Sequence, residues 1–556
     1  MHLFLLPRPL WLCLLGMVLP AFAVAQLTDS NLPIIRIDTG GKTIVDDPRI
    51  VAKMEVVWNG KGKRNAINDP ANHYNGNITI EYRGSSSQDL FPKKPYGLDT
   101  VLPDGSDNEV ALFDMPKGHD WILNSAYNDK SLLRDVLAYK IARDMGGLWA
   151  PRTQFVELVL NGRYEGVYIF MEKIKRGKDR VNISKLTAQD VAGDALTGGY
   201  ILKVDKLTGN DAFSWTSAIP PKAGTSQRIQ YQVEYPKLDD LAPEQKAYIR
   251  QWMNNMETML DGAGWNNATT GYPKYIDTTS MTDHLLLNEV TKNVDGYRLS
   301  AFMYKDRDSK DTRLRIGPPW DYNLTFGNAD YHDGNDTSDW TVMFNQRFND
   351  NFYAPFWWAK IWQDNNFRNG LRCRWLSLRS KKLTRSHLLS WVDSMAVVLN
   401  EAQKRNFQRW PIMGKYVWPN GFVGTSYTSE VDFLRSWLAL RIGWIDENLP
   451  GSCNTVNIPE EMRNYEKDLQ VYPNPFADEL TIRYDTQLSG TVRIELFNVL
   501  GRRVVNFDKS LPTKGSYTIP IQTTNLAPGV YLGTATMLAD VIRFKVVKTL
   551  KPIKTN

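Results

Sequence analysis

Alternation of apolar and polar positions dominates the first two hundred residues and predicts a strand-rich half. The predicted strands are 32–37, 50–58, 77–82, 155–160, 164–172 and 198–205. Between the fourth and fifth lies Asn161-Gly162, a pair that accepts the positive φ angles of a two-residue hairpin turn. We therefore expect this half to be built around a sheet.

Helical spacing of apolar residues first occurs at 132–145 and then dominates the chain from about residue 240. Asp129 or Ser131 is a suitable N-cap for the first helix, and Gly146-Gly147 a suitable stop. Further helices are predicted at 243–259 and 281–293 and in a run that ends near 449. Strands followed by helices indicate an α+β fold with a two-lobed order.

The last part of the chain returns to short alternating strands. From residue 469 they recur with turns between them, a spacing typical of a small immunoglobulin-like β-sandwich. The polar stretch 452–468 is predicted as a linker. The sequence thus predicts a domain at 26–451 and a second at 469–556.

Length and composition agree with this division. The 556 residues exceed what one hydrophobic core normally serves, so at least two domains are expected. With 42% hydrophobic and 23% charged residues the chain is ordinary globular protein. The net charge of +6 is small and gives no argument for a nucleic-acid partner.

Residues 1–25 are predicted to be a secretory signal peptide. Arg8 precedes the apolar run 10–19, and Ala23-Val24-Ala25 supplies small residues for cleavage. No later stretch has the roughly 20 apolar residues of a membrane span, so no transmembrane segment is expected after signal removal. Outside the cytoplasm Cys373 and Cys453 can pair, and two free buried thiols are the alternative.

The segment 315–334 concentrates oxygen ligands with only one histidine and no cysteine. Asp321 and Asn323 lie just past Pro318-Pro319 in this segment. Such oxygen donors suit a hard cation such as Mg²⁺. The alternative is a turn-rich loop whose side chains bond their own backbone.

Asp295, 26 residues before Asp321, supplies a second acid of the kind that phosphoryl transfer uses. The Gly/Ser segment at 83–88 and the lysines Lys93 and Lys94 could hold phosphates, although a polar hairpin would look alike. Arg134 could reach such a site or form a surface ion pair. The chain has no P-loop, H-E-x-x-H or G-x-S-x-G motif, which argues against these common enzyme classes.

The order of several motifs allows a family resemblance to be stated. They are R-G-S-S-S at 83, K-K-P-Y at 93, N-G-x-Y-x-G-V-Y at 161, G-G-Y-I-L-K at 198, N-x-D at 293 and W-D-Y-N-L-T-F-G-N at 320. This series resembles the CotH family of spore-coat and secreted kinases, which have an atypical protein-kinase-like fold. The resemblance implies ATP with Mg²⁺ or Mn²⁺ as cofactors and Ser or Thr of a protein substrate as acceptor.

The resemblance also implies roles for individual residues. Asp295 would be the catalytic acid and Asp321 a metal ligand, and Glu172 would lie near the adenine. The other implied contacts are Arg83, Ser85, Ser86, Lys93, Lys94 and Arg134 to the nucleotide, and Asn293 or Asn323 to the metal. Ser300 departs from the pattern, because kinases carry an asparagine metal ligand at this position. An inactive kinase-like surface module that binds a partner is therefore the alternative.

The tail carries a second resemblance. It rests on Y-P-N-P-F at 472, L-F-N-V-L-G-R at 496, L-A-P-G-V-Y at 526 and F-K-V-V-K at 544. These motifs look like the C-terminal sorting domain of the Bacteroidetes type IX secretion system. The resemblance implies this secretion machinery as a partner, and a secreted or cell-surface location reached through the periplasm. An ordinary immunoglobulin-like binding module is the alternative.

Overall fold

The computed structural model describes most of the chain. The described residues are 27–208, 212–453, 469–486, 490–499, 501–513, 515–537 and 540–549. The predicted signal peptide lies outside them, and so does the predicted linker apart from residues 452 and 453.

The strand-rich half forms a closed barrel of seven strands in the order β2-β3-β5-β6-β7-β9-β8. In chain order its elements are β1 (Asp29–Ser30), β2 (Ile34–Asp38), β3 (Ile50–Val57), β4 (Asn65–Ala66), β5 (Tyr74–Tyr82), α1 (Ser86–Leu90), β6 (Tyr96–Val101), β7 (Asp120–Asn124), α2 (Arg134–Met145), β8 (Thr153–Leu160) and β9 (Arg163–Glu172). The parallel pairing of β2 with β8 closes the barrel, and β1 pairs with β4 outside it. Closure leaves the barrel without a free strand edge.

The second half combines a five-stranded sheet with helices. The sheet has the order β11-β12-β10-β13-β14. Its elements are α3 (Gly193–Leu196), β10 (Tyr200–Val204), β11 (Ser214–Thr216), β12 (Gln230–Tyr235), α4 (Pro243–Asp261), α5 (Thr278–Thr291), β13 (Ala301–Lys305), β14 (Leu314–Ile316), α6 (Phe344–Arg347), α7 (Phe356–Ile361), α8 (Asn365–Arg379), α9 (Arg385–Leu399), α10 (Ala402–Arg409) and α11 (Tyr427–Asn448). Short 3₁₀ turns occur at Leu238–Asp240, Tyr272–Lys274 and Thr341–Met343.

One apolar core joins the two halves. Leu137 and Ile141 of α2 belong to the same buried cluster as Leu285 of α5 and Leu438 of α11. The barrel interior is a separate cluster. Helix α2 is therefore the element through which the barrel is fixed to the helical half, and it also positions the candidate site described below.

The sequence predicted several local features of the fold correctly, but neither Asp129 nor Ser131 is the N-cap of α2, a position that Leu133 occupies. Asn161 and Gly162 have φ angles of 50° and 75°, as the predicted hairpin turn requires. Helix α2 ends at Met145, and the predicted stop, Gly146, caps it with a φ of 83°. Helix α5 begins three residues before the predicted start, because Asp277 accepts a hydrogen bond from the Ser280 amide and caps it.

Cys373 and Cys453 form a disulfide, which confirms the predicted pairing. Their Cα atoms are 5.1 Å apart, and 80 positions separate them in the sequence. The bond ties the end of the helical region to α8. The free-thiol alternative is thereby excluded.

The C-terminal region is all-β, as predicted. It contains β15 (Leu469–Tyr472), β16 (Glu479–Thr486), β17 (Gly490–Phe497), β18 (Arg503–Leu511), β19 (Gly515–Gln522), β20 (Gly529–Met537) and β21 (Asp540–Lys548). They form a three-stranded and a four-stranded sheet. Ile482 and Ile519 of one sheet share a buried cluster with Ile494 and Ala535 of the other. The whole chain is thus α+β; the kinase-like, two-lobed arrangement of its first domain stays a prediction.

Candidate active site

Helix α2 holds the loop that carries Asp321. The Asp321 amide donates to the Tyr139 hydroxyl at 3.1 Å, and the next amide, that of Tyr322, donates to the Asp135 carboxylate at 2.7 Å. Arg134 supports the same loop further on. These contacts stabilise the backbone at Asp321, which has a φ of 63°. The Asp321 carboxylate itself stays open to solvent.

The loop after α5 carries Asp295 and is joined to the Asp321 loop. Asn293 makes the connection: its Oδ1 accepts from the Asp295 amide at 3.0 Å, and its Nδ2 donates to the Asp321 carbonyl at 3.4 Å. Arg298 donates to Asp295 Oδ1 at 2.7 Å, and no side-chain hydrogen bond to the other oxygen occurs within the described residues. The two predicted acids are therefore brought to one place.

Asp205 is a third acid at this place, and the sequence analysis gave it no role. It follows β10 directly, and β10 pairs with β13 so that Val204 lies opposite Ala301. The next position on each strand brings Asp205 to Ser300, whose hydroxyl donates to Asp205 Oδ2 at 3.3 Å. The available signal was an acid at the end of a predicted buried strand, which is informative only once the strand partner is known.

The charges of these acids disturb one another. Burial by the surrounding protein, together with the carboxylates of Asp135, Asp295 and Asp205, raises the pKa of Asp321 to about 7, against a smaller lowering by Arg83. Solvent reaches Asp321, so it lies at the floor of a depression rather than inside the core. A bound cation would relieve this repulsion.

The donor set fits a divalent cation that keeps several non-protein ligands. Asp321 and Asp205 offer carboxylate oxygens, and the Oδ1 of Asn323 accepts no hydrogen bond within the described residues, while its Nδ2 donates to Asn128 at 3.1 Å. In the described ranges, however, no three His, Cys, Asp or Glu side chains are grouped as a complete metal site. Mg²⁺ bound with a nucleotide needs only one or two protein carboxylates beside phosphate oxygens and water.

Asn293 is placed differently from Asn323. Both ends of its amide are used in the contacts that join the two acidic loops. Its position suits it to fix the separation of Asp295 and Asp321. We therefore read it as a positioning residue, and its predicted role as a metal ligand receives no support from these bonds.

Cations from two elements face the acids. The Arg83 guanidinium lies 5.6 Å from the centre of the Trp320 ring, and burial lowers its pKa while Asp321 opposes this. No side-chain hydrogen bond of Arg83 occurs in the described part of the chain. Lys206, next to Asp205, donates to Ser86 Oγ at 3.4 Å and so joins the Gly/Ser segment to the acids. Ser85, the residue before, is exposed.

Lys93 does not lie free at this site. Its side chain is buried, donates to the Val167 carbonyl and to Asn406 Oδ1, and lies 4.6 Å from the Tyr168 ring centre. Burial lowers the pKa of Lys93 to about 7. Lys93 thus links α10 to strand β9 of the barrel. Its buried ammonium group is not placed to make the predicted contact with a phosphate. Lys94 donates to the Gln88 carbonyl and stays beside the Gly/Ser segment.

Arg134 and Glu172 are likewise engaged in buried contacts. Arg134 donates to Asp129 and, at 2.9 Å, to the Thr325 carbonyl, so it holds the Asp321 loop from below. Glu172 accepts from Arg152 at 3.0 Å and lies in an ion pair with Arg180. Each buried charged group needs its partner, so both side chains have a structural role. Their predicted places at the nucleotide stay predictions and receive no support from these bonds.

Comparison with known proteins gives two family matches. Residues 80–445 match a family model described as CotH kinase protein, and residues 470–549 match one described as secretion system C-terminal sorting domain. The inner spore coat protein H of Bacillus subtilis (strain 168) is 26% identical over 251 residues, which are 45% of this chain. The alignment spans 59% of that relative.

The second match assigns the C-terminal domain to export. A type IX sorting domain directs its protein across the outer membrane, either to the cell surface or into the medium. Within the described ranges no helix is both long and apolar enough to cross a bilayer. The match to the sorting domain confirms the predicted secreted or cell-surface location.

Proposed function

Because the chain belongs to the CotH kinase protein family, we propose that it is an exported phosphotransferase. It transfers the γ-phosphoryl group of ATP to a Ser or Thr hydroxyl of a protein, in a kinase-like first domain. The observation that carries this proposal is the meeting of Asp205, Asp295 and Asp321 beside two cations, Arg83 and Lys206.

Asp295 is placed to receive the acceptor's proton. Arg298 holds one of its oxygens at 2.7 Å, which fixes the carboxylate and leaves the other oxygen to orient a hydroxyl. As the acceptor oxygen bonds to the γ-phosphorus, the bond to the ADP oxygen breaks and the hydroxyl proton passes to Asp295. Positioning of these groups supplies most of the catalysis in such transfers.

The remaining groups neutralise charge. Asp321 and Asp205, with the Asn323 oxygen, would hold Mg²⁺ or Mn²⁺, which would offset the charge of the phosphates. Arg83 and Lys206 are the cations that can contact phosphate oxygens, and Ser85 and Ser86 border them. The uncommitted guanidinium of Arg83 matches phosphate geometry well.

A second candidate function is a catalytically inactive surface module that binds a partner. Ser300 in place of an asparagine ligand, and Lys93 engaged in packing, favour it. Both proposals require the same fold. They differ in whether ATP is consumed.

One experiment separates the two. The protein from residue 26 onward is incubated with γ-labelled ATP, Mn²⁺ and a mixture of acceptor proteins, together with Asp321→Ala, Asp295→Asn and Asp330→Asn. Asp330 lies in the same segment as Asp321 but bonds Tyr416, so it is the matched control. We expect label with the wild type and the control, and at least a hundredfold less with the other two. Equal label in all four would reject phosphotransfer.

A further inference from the structure

A cavity of about 430 Å³ opens beside the acidic residues. The end of β10, the start of β12 and the segment 351–353 form its walls. Asp205 and Lys206 belong to this lining and also to the site described above. The cavity therefore adjoins the site at Asp205 and Lys206, while Asp295, Asp321, Arg83 and Ser86 do not line it.

One wall of the cavity is tied to the proposed catalytic acid. Arg298 lines the cavity and is almost fully buried. Besides Asp295, it binds Asp350 at 2.9 Å and the Phe352 carbonyl at 3.1 Å. A molecule held against Phe352 thus lies on the side from which Arg298 holds Asp295. The cavity is thus linked to Asp295 through the Arg298 side chain.

The lining carries an excess of positive charge. Its cations are Lys206, Arg228 and Arg298, and among the described lining residues Asp205 is the only carboxylate. Asp295 and Asp350 already neutralise Arg298. Arg228 is exposed and uses only Nη1, in bonds to its own turn at Thr225 and Gln227. Its remaining N–H groups make no hydrogen bond within the described part of the chain and can bind an anion.

The rest of the lining suits a polypeptide. Phe352 is 38% exposed and Leu207 is 57% exposed, so apolar side chains face the opening. The Nε2 groups of Gln227 and Gln230 donate to the Asp350 carbonyl and to Thr216. Their Oε1 atoms accept no hydrogen bond within the described residues and can accept one from a peptide backbone. Exposed apolar groups beside a few fixed polar ones are typical of a binding cleft.

We propose that this cavity receives the acceptor polypeptide, and that Arg228 binds a carboxylate side chain next to the acceptor Ser or Thr. The protein would then prefer acceptors with Asp or Glu near the hydroxyl. That the bound polypeptide is a phosphoryl acceptor rests on the proposed function; that the cavity binds a polypeptide does not. The charge of Arg228, rather than its shape, sets the preference.

Charge reversal tests the proposal. We compare synthetic peptides that contain one Ser and differ only at one flanking position, which is Asp, Asn or Lys. With the wild type we expect kcat/KM to be about fivefold higher for Asp than for Asn. Arg228→Glu should reverse the order and favour Lys. Arg250→Glu, an exposed arginine on α4, makes the same charge change elsewhere and should keep the wild-type order.

Two results would overturn the inference. One is an unchanged peptide order in Arg228→Glu. The other is a several-fold rise in KM for ATP with that order unmoved, which would place the nucleotide in the cavity. If no peptide is labelled, the proposed function fails, and fluorescence anisotropy of the same peptides then decides the binding site. Tighter binding of the Asp peptide, lost in Arg228→Glu, supports it, and equal binding of all peptides rejects it.

Discussion

The Ser300 hydroxyl donates a hydrogen bond to the Asp205 carboxylate at 3.3 Å. Ser300 stands where the family resemblance leads one to look for an asparagine metal ligand. The Asp205 carboxylate, at the end of the neighbouring strand β10, lies at this position instead. In the site that we propose, it would take the place of the asparagine as metal ligand.

Removing Asp205 should weaken metal binding. We expect Asp205→Ala to raise the Mn²⁺ concentration for half-maximal phosphotransfer at least about tenfold, because one charged oxygen ligand is lost. Adding Ser300→Asn to that variant should recover part of the loss. The measurement is a metal titration at saturating ATP. Unchanged metal dependence in Asp205→Ala would show that Asp205 does not serve the metal.

Substitution of Arg83 should affect nucleotide binding, whereas substitution of Lys93 should affect the stability of the fold. We expect Arg83→Gln to raise the KM for ATP several-fold, since an uncommitted guanidinium beside Asp321 is lost. Lys93→Met should leave this KM unchanged and lower the free energy of unfolding by about 1–3 kcal/mol, because the Val167 carbonyl and Asn406 lose their donor. ATP kinetics and urea denaturation of both variants measure the two effects. The reverse pattern would restore Lys93 as the phosphate contact.

Local signals made much of the fold predictable from the sequence. The Asn161-Gly162 turn, the Gly146 stop and the all-β tail depend on neighbouring residues, and each is confirmed. The closed barrel was not predicted, because its closure is the parallel pairing of β2 with β8, which are far apart in sequence. Periodicity carries no information about such a pair.

The site was predictable only in part, for a related reason. Asp295 and Asp321 stand in recognisable motifs, whereas Asp205 acquires meaning only through the pairing of β10 with β13. Three charged residues that were predicted to lie at the nucleotide, Lys93, Arg134 and Glu172, have buried protein partners. Nothing in a linear motif distinguishes a cation that holds a loop from one that faces a ligand.

Loss of the disulfide should destabilise the first domain. We expect Cys373→Ser with Cys453→Ser to lower the free energy of unfolding by about 2–4 kcal/mol, because a closed loop of this size restricts the unfolded chain. Thermal unfolding of the oxidised wild type and the double variant measures it. Under reducing conditions the two should unfold alike. Equal stability of the oxidised proteins would contradict the argument.

The stability of the first domain should fall in mild acid through His284. Its imidazole is buried against Trp358, and this burial lowers its pKa to about 4, against a smaller opposing effect of the Gly296 carbonyl. Below pH 6.5 the unfolded chain therefore binds a proton that the folded protein refuses until about pH 4. The stability that comes from keeping His284 neutral is fully present above pH 6.5. It is lost as the pH falls from 6.5 to 4, and the loss is on the order of 3 kcal/mol.

His284→Gln removes this titration and keeps a donor for the Gly296 carbonyl. We expect the free energy of unfolding of the variant to decrease less than that of the wild type between pH 7 and pH 4. His387→Gln is the matched control, because His387 is exposed, and it should follow the wild type. Urea denaturation at several pH values gives the free energy of unfolding of the wild type and both variants as a function of pH. If the wild type and His284→Gln lost stability in parallel, other groups would have to account for the acid sensitivity.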